Sequence, residues 1–328
     1  MNLQSVELCA GAGGQALGLE QAGFEHKALI EIDPHACRTL KANRPEWNVF
    51  EGDLREAVDG NLIGFSPKSF KGIDLIAGGV PCPPFSLAGK QLGGDDERDL
   101  FPAALHLVDI CRPRAVMLEN VRGILGAKFD DYRSDLNRQF EKLGYIAEWK
   151  LLHASDFGVP QLRPRAIVVA IERRYAGAFK FPEVQGVRQR TVGKTLFSLM
   201  SSRGWRGAEK WRDRANNIAP TLVGGSKKHG GPDLGPTRAK QAWASLGVDA
   251  HGLANDVPEK DFVGMPRLTV SMAALLQGFP KDWQFTGGKT AAYRQVGNAF
   301  PPPVARAVAS QILIALERAS SGYLKKTA

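Results

Sequence analysis

Residues 5–23 read SVELCAGAGGQALGLEQAG. A short apolar run gives way to Gly11, Gly13 and Gly14, and then to a stretch with helical spacing. Strand, glycine turn and helix in that order bring backbone N–H groups, free of a Cβ, to a helix N-terminus. Gly11-x-Gly13-x-x-Ala16 matches the loose dinucleotide fingerprint, and Glu31 closes the next apolar run twenty residues beyond Gly11. An acid there accepts hydrogen bonds from ribose hydroxyls, so NAD, FAD and S-adenosylmethionine all satisfy the pattern. Asp53, in EGDLRE, falls where a further strand would end. It suits an adenine amino group or the N-cap of the next helix equally well.

The same alternation continues outward from this turn. KALIEID, IDLIAGG, AVMLEN and RAIVVAIE read as strands, and PHACRTLKANR, LFPAALHLVDICR and SDLNRQFEKLG as helices between them. Strand and helix alternating through about residue 172 imply a largely parallel sheet covered on both faces. After Glu172 the period is lost. Residues 173–265 are rich in Gly, Pro, Arg and Lys and read as loops with short strands. Helical spacing returns in SMAALLQGF and in PPVARAVASQILIALERA, which opens on Pro302 and Pro303.

The chain has 328 residues and a formal net charge of +9. Residues 173–260 hold 16 Lys and Arg against 7 Asp and Glu, so this segment alone carries the whole excess. Positive charge gathered in one segment suits a phosphate backbone or a solvated basic surface. No apolar run long enough to cross a bilayer and no secretory leader is expected, which points to the cytoplasm. The four cysteines, Cys9, Cys37, Cys82 and Cys111, form no Cys-x-x-Cys pair and no metal-ligand spacing, so free thiols and no metal are expected.

Cys82 differs from the other three. It sits in GGVPCPPFSLAG (78–89), directly after an apolar strand and among Pro81, Pro83 and Pro84. The prolines stiffen the loop. In an open α/β sheet, ligands bind at the carboxyl ends of the strands, so the thiol belongs at the edge that carries the glycine turn. A stiff loop holds a nucleophile ready between turnovers. AVMLENVRG places Glu119 at another strand end, where a carboxyl can exchange a proton with a heterocycle. FGVPQLRPR adds Gln161, Arg163 and Arg165 before the fifth strand, with two forks able to grip a base carbonyl, phosphate or carboxylate.

Together these residues resemble the C5-cytosine DNA methyltransferases of bacterial restriction-modification systems. The resemblance spans nearly the whole chain, with ELCAGAGGQALGLEQAG, IEIDPHA, GDL, GGVPCPPFSLAGKQ, RDLF, LENVRG, FGVPQLRPR, RLTVSMAALLQGFP and YRQVGNAFPPPVA in the family's order. It implies a Rossmann-like α/β methyltransferase fold, with a mixed, mostly parallel sheet and a smaller irregular target-recognition domain. The implied division is a catalytic and cofactor-binding domain over 1–175, a recognition domain over 176–285 and a returning segment over 286–328. It further implies that Cys82 adds to C6 of a cytosine swung out of the duplex. Glu119 would hold N3 and the exocyclic amine, and Arg165, with Arg163, would contact the base carbonyl and hold the loop. For S-adenosylmethionine it implies Gly11, Gly13 and Gly14 at the methionine end, Glu31 on the ribose and Asp53 on the adenine amine. Leu100, Asn298 and Ala299 would line the pocket. DNA contacts are expected from Ser86, Gln161, Thr221, Lys227, Lys228 and Arg238. Arg267 and Thr269 would brace the recognition region, Thr269 equally as a helix N-cap.

The partners expected are double-stranded DNA and, functionally, a restriction endonuclease, with the protein itself a monomer. Three positions depart from the family pattern: Pro83 in place of Gln, Cys9 in place of Phe, and Ile32 in place of an aromatic. A transfer RNA methyltransferase would carry Cys-Phe-Thr in its recognition region, and that triplet is absent. A non-catalytic relative would have no use for Cys82, Glu119 and Arg165 together, and an NAD oxidoreductase none for the Pro-Cys turn.

Overall fold

The computed structural model describes residues 3–81, 99–184, 189–224 and 233–324, excepting the side chains of 319–324. In chain order the elements are β1 (Leu3–Leu8), α1 (Gly14–Ala22), β2 (Phe24–Glu31), α2 (Pro34–Asn43), β3 (Val49–Glu51), α3 (Leu54–Val58) and β4 (Leu75–Gly78). Then follow α4 (Phe101–Cys111), β5 (Ala115–Val121), α5 (Asp130–Lys142), β6 (Tyr145–His153), β7 (Pro164–Glu172) and α6 (Arg173–Ala176). The remainder is helical: α7 (Val192–Met200), α8 (Ala208–Arg214), α9 (Thr237–Ser245), α10 (Val270–Gln277), α11 (Lys289–Asn298) and α12 (Pro302–Leu324).

Two compact units emerge. The first comprises Met1–Leu152, Arg165–Glu183 and Ala305–Ala328, the second His153–Pro164 and Val184–Val304. This differs from the expected division at 175 and 285. Residues 286–304 belong to the second unit, and the chain rejoins the first only at Ala305.

The first unit is built on a seven-stranded sheet in the order β3-β2-β1-β4-β5-β7-β6. β3, β2, β1, β4 and β5 pair in parallel, and β7 runs antiparallel to β5. β4 is buried along its whole length and β5 along all but its last residue, as expected of central strands covered on both faces. Alternate residues explain the two layers. Val6, Leu8, Ile30, Ile76, Val116, Leu118 and Val168 share one core with Leu54, Phe101, Leu105, Val108, Leu136 and Phe140 of the crossover helices. Each such aliphatic side chain, fully withdrawn from water, stabilises the fold by about 1.5–3 kcal/mol. On the other face, His26 bridges Ser5 Oγ (2.9 Å) and the Ala16 carbonyl (2.9 Å), tying β1, β2 and α1. Arg114 reaches the Leu316 carbonyl of α12 at 3.0 Å and Asp74 at 2.7 Å.

β6 is a strand that the apolar-run reading does not include. It alternates buried or half-buried residues with exposed ones (Ile146, Glu148, Lys150), the pattern of a strand at the sheet's edge. The second unit corrects the expectation of loops with short strands. Between 176 and 285 its regular elements among the described residues are helices, and the only extended pairing there is the isolated bridge from Ala219 to Gln161. α7 starts at Thr191, whose side chain accepts from Lys194 N, and buries Val192, Leu196 and Met200. Elements this short, separated by glycines and prolines, leave too few turns for the period to show. The expectation about apolar length is also corrected. Lys289–Arg318 is long and apolar enough for a span by composition, but 61% of its apolar window is packed inside protein.

Candidate functional site

Because β1, β2, β3, β4 and β5 are parallel, their carboxyl ends share one edge of the sheet, and those expected first-unit residues that are described gather there. The glycine turn follows β1. Gly11 and Gly13 have φ of +54° and +84°, a conformation glycine adopts without penalty. Cys9, beside them, holds φ +50° with a side chain present, a strained position held by the surrounding bonds. Glu31, the last residue of β2, secures the turn. Its Oε2 accepts from Gly11 N at 2.6 Å and its Oε1 from Asp33 N at 2.7 Å. Burial raises its pKa, against the backbone bonds from Asp33, Gly11 and Ile32 that lower it.

α1 has no side-chain N-cap, since Gly13 occupies the cap position. An open helix N-terminus is a ready site for a carboxylate or phosphate. A Cβ placed on Gly11 would meet nothing within 4 Å, so the turn faces free space. These features fit a nucleoside cofactor bearing an amino-acid end. Asp53 caps α3, accepting from Arg55 N at 2.9 Å, and pairs with the Arg55 guanidinium at 2.9 Å. Its carboxyl is held below the usual range by Arg55.

β4 leads to Val80 and Pro81. Pro81 O accepts from Leu100 N at 3.1 Å, so the chain returns beside its point of departure. Cys82 and Ser86, between those residues, lie outside the described residues. Asn120 anchors the departing turn by donating Nδ2 to Val80 O at 2.9 Å. Glu119 is 9% exposed, and a Cβ on Gly79 would lie 3.3 Å from its Oε2. The acid therefore stands against the backbone three residues before Cys82.

Arg165 meets Glu119 through register. Arg165 opposes Val121 across the β5–β7 ladder, which puts it diagonal to Glu119 on the same face. Their Nε–Oε1 distance is 2.6 Å, and both side chains are about nine-tenths buried. A pair this withdrawn from water strands one charge if the other is removed.

The other cysteines are poor nucleophiles. Burial pushes the thiols of Cys37 and Cys111 up to about 12 and that of Cys9 up as well.

In the second unit, Gln161 and Arg163 are both fully buried. Gln161 Nε2 donates to Gln277 Oε1 (2.6 Å) and to Leu276 O (3.2 Å), and its Oε1 accepts from Leu222 N (2.8 Å). This corrects the expectation that Gln161 contacts DNA, because its amide is spent inside the protein. Arg163 donates to Leu222 O (2.7 Å), Gly297 O (2.8 Å) and Ala299 O (2.7 Å). The expected contact of Arg163 with the base is likewise corrected to a clamp on two backbone segments. With φ +21° just before Pro164, it is held in a conformation those bonds over-determine. Gln277 completes the staple by donating to Val296 O and Ala299 O, both at 2.9 Å.

Thr221 is half-buried, and Arg238 and Asn298 are exposed. Ala299 is 8% exposed. Lys227 and Lys228 lie outside the described residues. Arg267 braces Asp249 at 2.7 Å, and Thr269 is the N-cap of α10, accepting from Met272 N at 3.2 Å. Sequence reasoning passed over Gln277 and Glu7. Gln277 was hidden in an apolar helix. Glu7 lies in β1, where an acid among apolar neighbours is the available signal. It is 1% exposed, and burial drives its pKa well up, with the Ala16 backbone N–H opposing.

The family profile described as C-5 cytosine-specific DNA methylase matches residues 3–313. The chain is 55% identical to Type II methyltransferase M.NgoMIV of Neisseria gonorrhoeae, over 97% of this chain and 99% of that one. It is 54% identical to Type II methyltransferase M.NaeI of Lentzea aerocolonigenes, over 98% of this chain and 77% of that one. Among solved structures, a Spodoptera frugiperda DNMT2 variant shares the fold, with a TM-score of 0.65 and 18% identity over 96% of this chain and 99% of that one. S. pombe Dnmt2 does so with a TM-score of 0.60 and 17% identity, at the same coverage.

Proposed function

This chain belongs to the C-5 cytosine-specific DNA methylase family, which methylates cytosine C5 in DNA from S-adenosylmethionine, and on that premise we propose how its residues divide the work. The observation that carries the reading is the buried Glu119–Arg165 pair at the carboxyl edge of the sheet, with Glu119 against Gly79 and so beside the turn that leads to Cys82.

Cys82 is the nucleophile. Its thiolate forms a bond to C6 of an extruded cytosine, and the C5–C6 π electrons move into the ring. Glu119 gives a proton to N3 and holds the exocyclic amine, which makes C6 electrophilic and leaves C5 as the carbon of an enamine. Arg165, already bonded to Glu119, holds the carboxyl in register and receives the base carbonyl. S-adenosylmethionine, when bound, supplies an electrophilic methyl group on a sulfonium. Once C5 is methylated, a base takes the C5 proton, the C5–C6 double bond re-forms, Cys82 leaves and the N3 proton returns to Glu119. Gly11, Gly13 and Gly14 offer the free N–H groups of α1 to the cofactor's amino-acid end. Glu31 fixes that turn and faces the ribose, Asp53 serves the adenine amine, and Leu100, Asn298 and Ala299 line the pocket.

The basic segment spanning the recognition region reads the target. Thr221, Lys227, Lys228 and Arg238 contact the duplex, chiefly its phosphates, and Ser86 contacts it beside the nucleophile. The protein acts as a monomer in the cytoplasm, paired in function with a restriction endonuclease that cuts the same word. The relatives' description as type II methyltransferases supports that pairing.

Bisulfite sequencing of host DNA from cells expressing the protein should reveal one protected word. Cys82→Ser should erase it while the purified variant still binds the duplex. A duplex carrying 5-fluorocytosine in that word should trap the wild type irreversibly when S-adenosylmethionine is present. Near-normal turnover by Cys82→Ser refutes the covalent route.

A further inference from the structure

The stretch Ala219–Gly224 is the described approach to residues 225–232, which hold Lys227 and Lys228. It is fastened along its length. Ala219 bonds in both directions with the 160–162 segment, at 2.9 and 3.0 Å. Leu222 is gripped at both ends of its peptide, its N–H by Gln161 and its carbonyl by Arg163. The same guanidinium also holds the carbonyls of Gly297 and Ala299, on either side of Asn298.

Beyond Leu222 the two segments touch directly. A Cβ on Gly224 would lie 2.5 Å from Asn298 Oδ1 and 2.6 Å from Arg294 O. A Cβ on Gly297 would lie 2.5 Å from Gly224 Cα and 2.7 Å from Val223 C. Neither glycine is in the left-handed region. Glycine is therefore needed here for closeness and not for turn geometry. At Gly297 backbone meets backbone, and at Gly224 the Arg294 carbonyl and the Asn298 amide close in, so little room is left to absorb a shift. A movement of one segment is passed to the other, which is how packed interiors transmit strain.

We propose that the Gly224–Gly297 contact is a positioning element that couples target reading to cofactor holding. The recognition segment and the turn carrying Asn298 and Ala299 move as one piece. The correct duplex, by pressing on residues 219–224, sets the cofactor-facing turn in its working position. By thermodynamic reciprocity a bound cofactor then tightens the grip on the correct word. This rests on the proposed roles of the recognition region and of Asn298 and Ala299.

The test is calorimetric titration of S-adenosylhomocysteine into the full chain in three states: no DNA, the duplex carrying the methylated word, and an equal-length duplex lacking it. The correct duplex should raise the wild type's affinity by at least about fivefold, the low end of ordinary coupling. The control duplex should not. Gly224→Ala should lose that enhancement, and Val263→Ala, at a 91% exposed side chain, should keep it. Full enhancement in Gly224→Ala overturns the proposal. So does a wild type that methylates its word yet shows no enhancement, and in that case the functional reading stands. A wild type that neither binds S-adenosylhomocysteine nor methylates overturns the functional reading and this one with it.

Hydrogen exchange on the wild type covers the case in which Gly224→Ala does not fold. The correct duplex alone should slow amides of 219–224 and of 294–299 together. Protection confined to 219–224 overturns the coupling.

Discussion

Replacing Arg163 with methionine separates a buried clamp from a residue that touches the base. Methionine keeps much of the volume and flexibility of the stem but has no donor. Three carbonyls lose a bond, those of Leu222, Gly297 and Ala299. Ala299 O still has Gln277 Nε2, so two are left without the guanidinium's replacement. Hydrogen bonds to a charged group contribute about 1.5–3 kcal/mol each, so two give about 3–6 kcal/mol. No longer burying a charge offsets part of that, which puts the net loss near the lower bound, about 3 kcal/mol. For a unit of this size the melting point should fall on the order of 10 °C. Arg163→Lys keeps the charge but presents a single donor point, and should fall between the wild type and methionine. The assay is thermal unfolding followed by tryptophan fluorescence, since Trp205, Trp211, Trp243 and Trp283 all lie in the unit that Arg163 ties together. A methionine variant that melts with the wild type refutes the clamp. If it also loses methyl transfer while melting normally, Arg163 acts on the substrate instead.

Glu7 makes stability depend on pH with a defined sign. Its folded pKa is raised by burial, whereas the unfolded carboxyl ionises near about 4.3. The native state is therefore undiminished below that value and loses stability as pH rises towards the folded pKa. Glu7→Gln removes the ionisation, so its urea midpoint should gain on the wild type's from pH 5 to pH 8, and a constant difference would contradict the buried acid. Thr269→Ala deletes the N-cap of α10 and should cost about 1 kcal/mol in urea unfolding, with Thr269→Ser close to the wild type. An alanine variant of unchanged stability would show that the bond to Met272 N contributes nothing.

The sequence by itself determined the strand–turn–helix order of the first unit and the residues at the carboxyl edge of its sheet. Glycine spacing, apolar runs of strand length and proline placement are local, and so is the chemistry they demand. Gly11 and Glu31, twenty residues apart, are both legible as one cofactor edge, and the parallel β1–β2 pair brings their ends together. Of the helices between 176 and 285, α10 shows in the spacing of SMAALLQGF, but α7, α8 and α9 were not legible, because each is too short for its period to rise above the glycines and prolines around it. Only the tertiary structure decided what the three polar residues of QLRPR do. Gln161, Arg163 and Arg165 look alike on paper, two residues apart and equally suited to a phosphate or a base. Their roles come from what lies opposite. Arg165 faces Glu119 by antiparallel register, whereas Gln161 and Arg163 face the carbonyls and amide of segments some 60 and 135 residues away. Backbone groups carry no side-chain signature, so a residue that binds them gives no sign of its partner until the chain has folded.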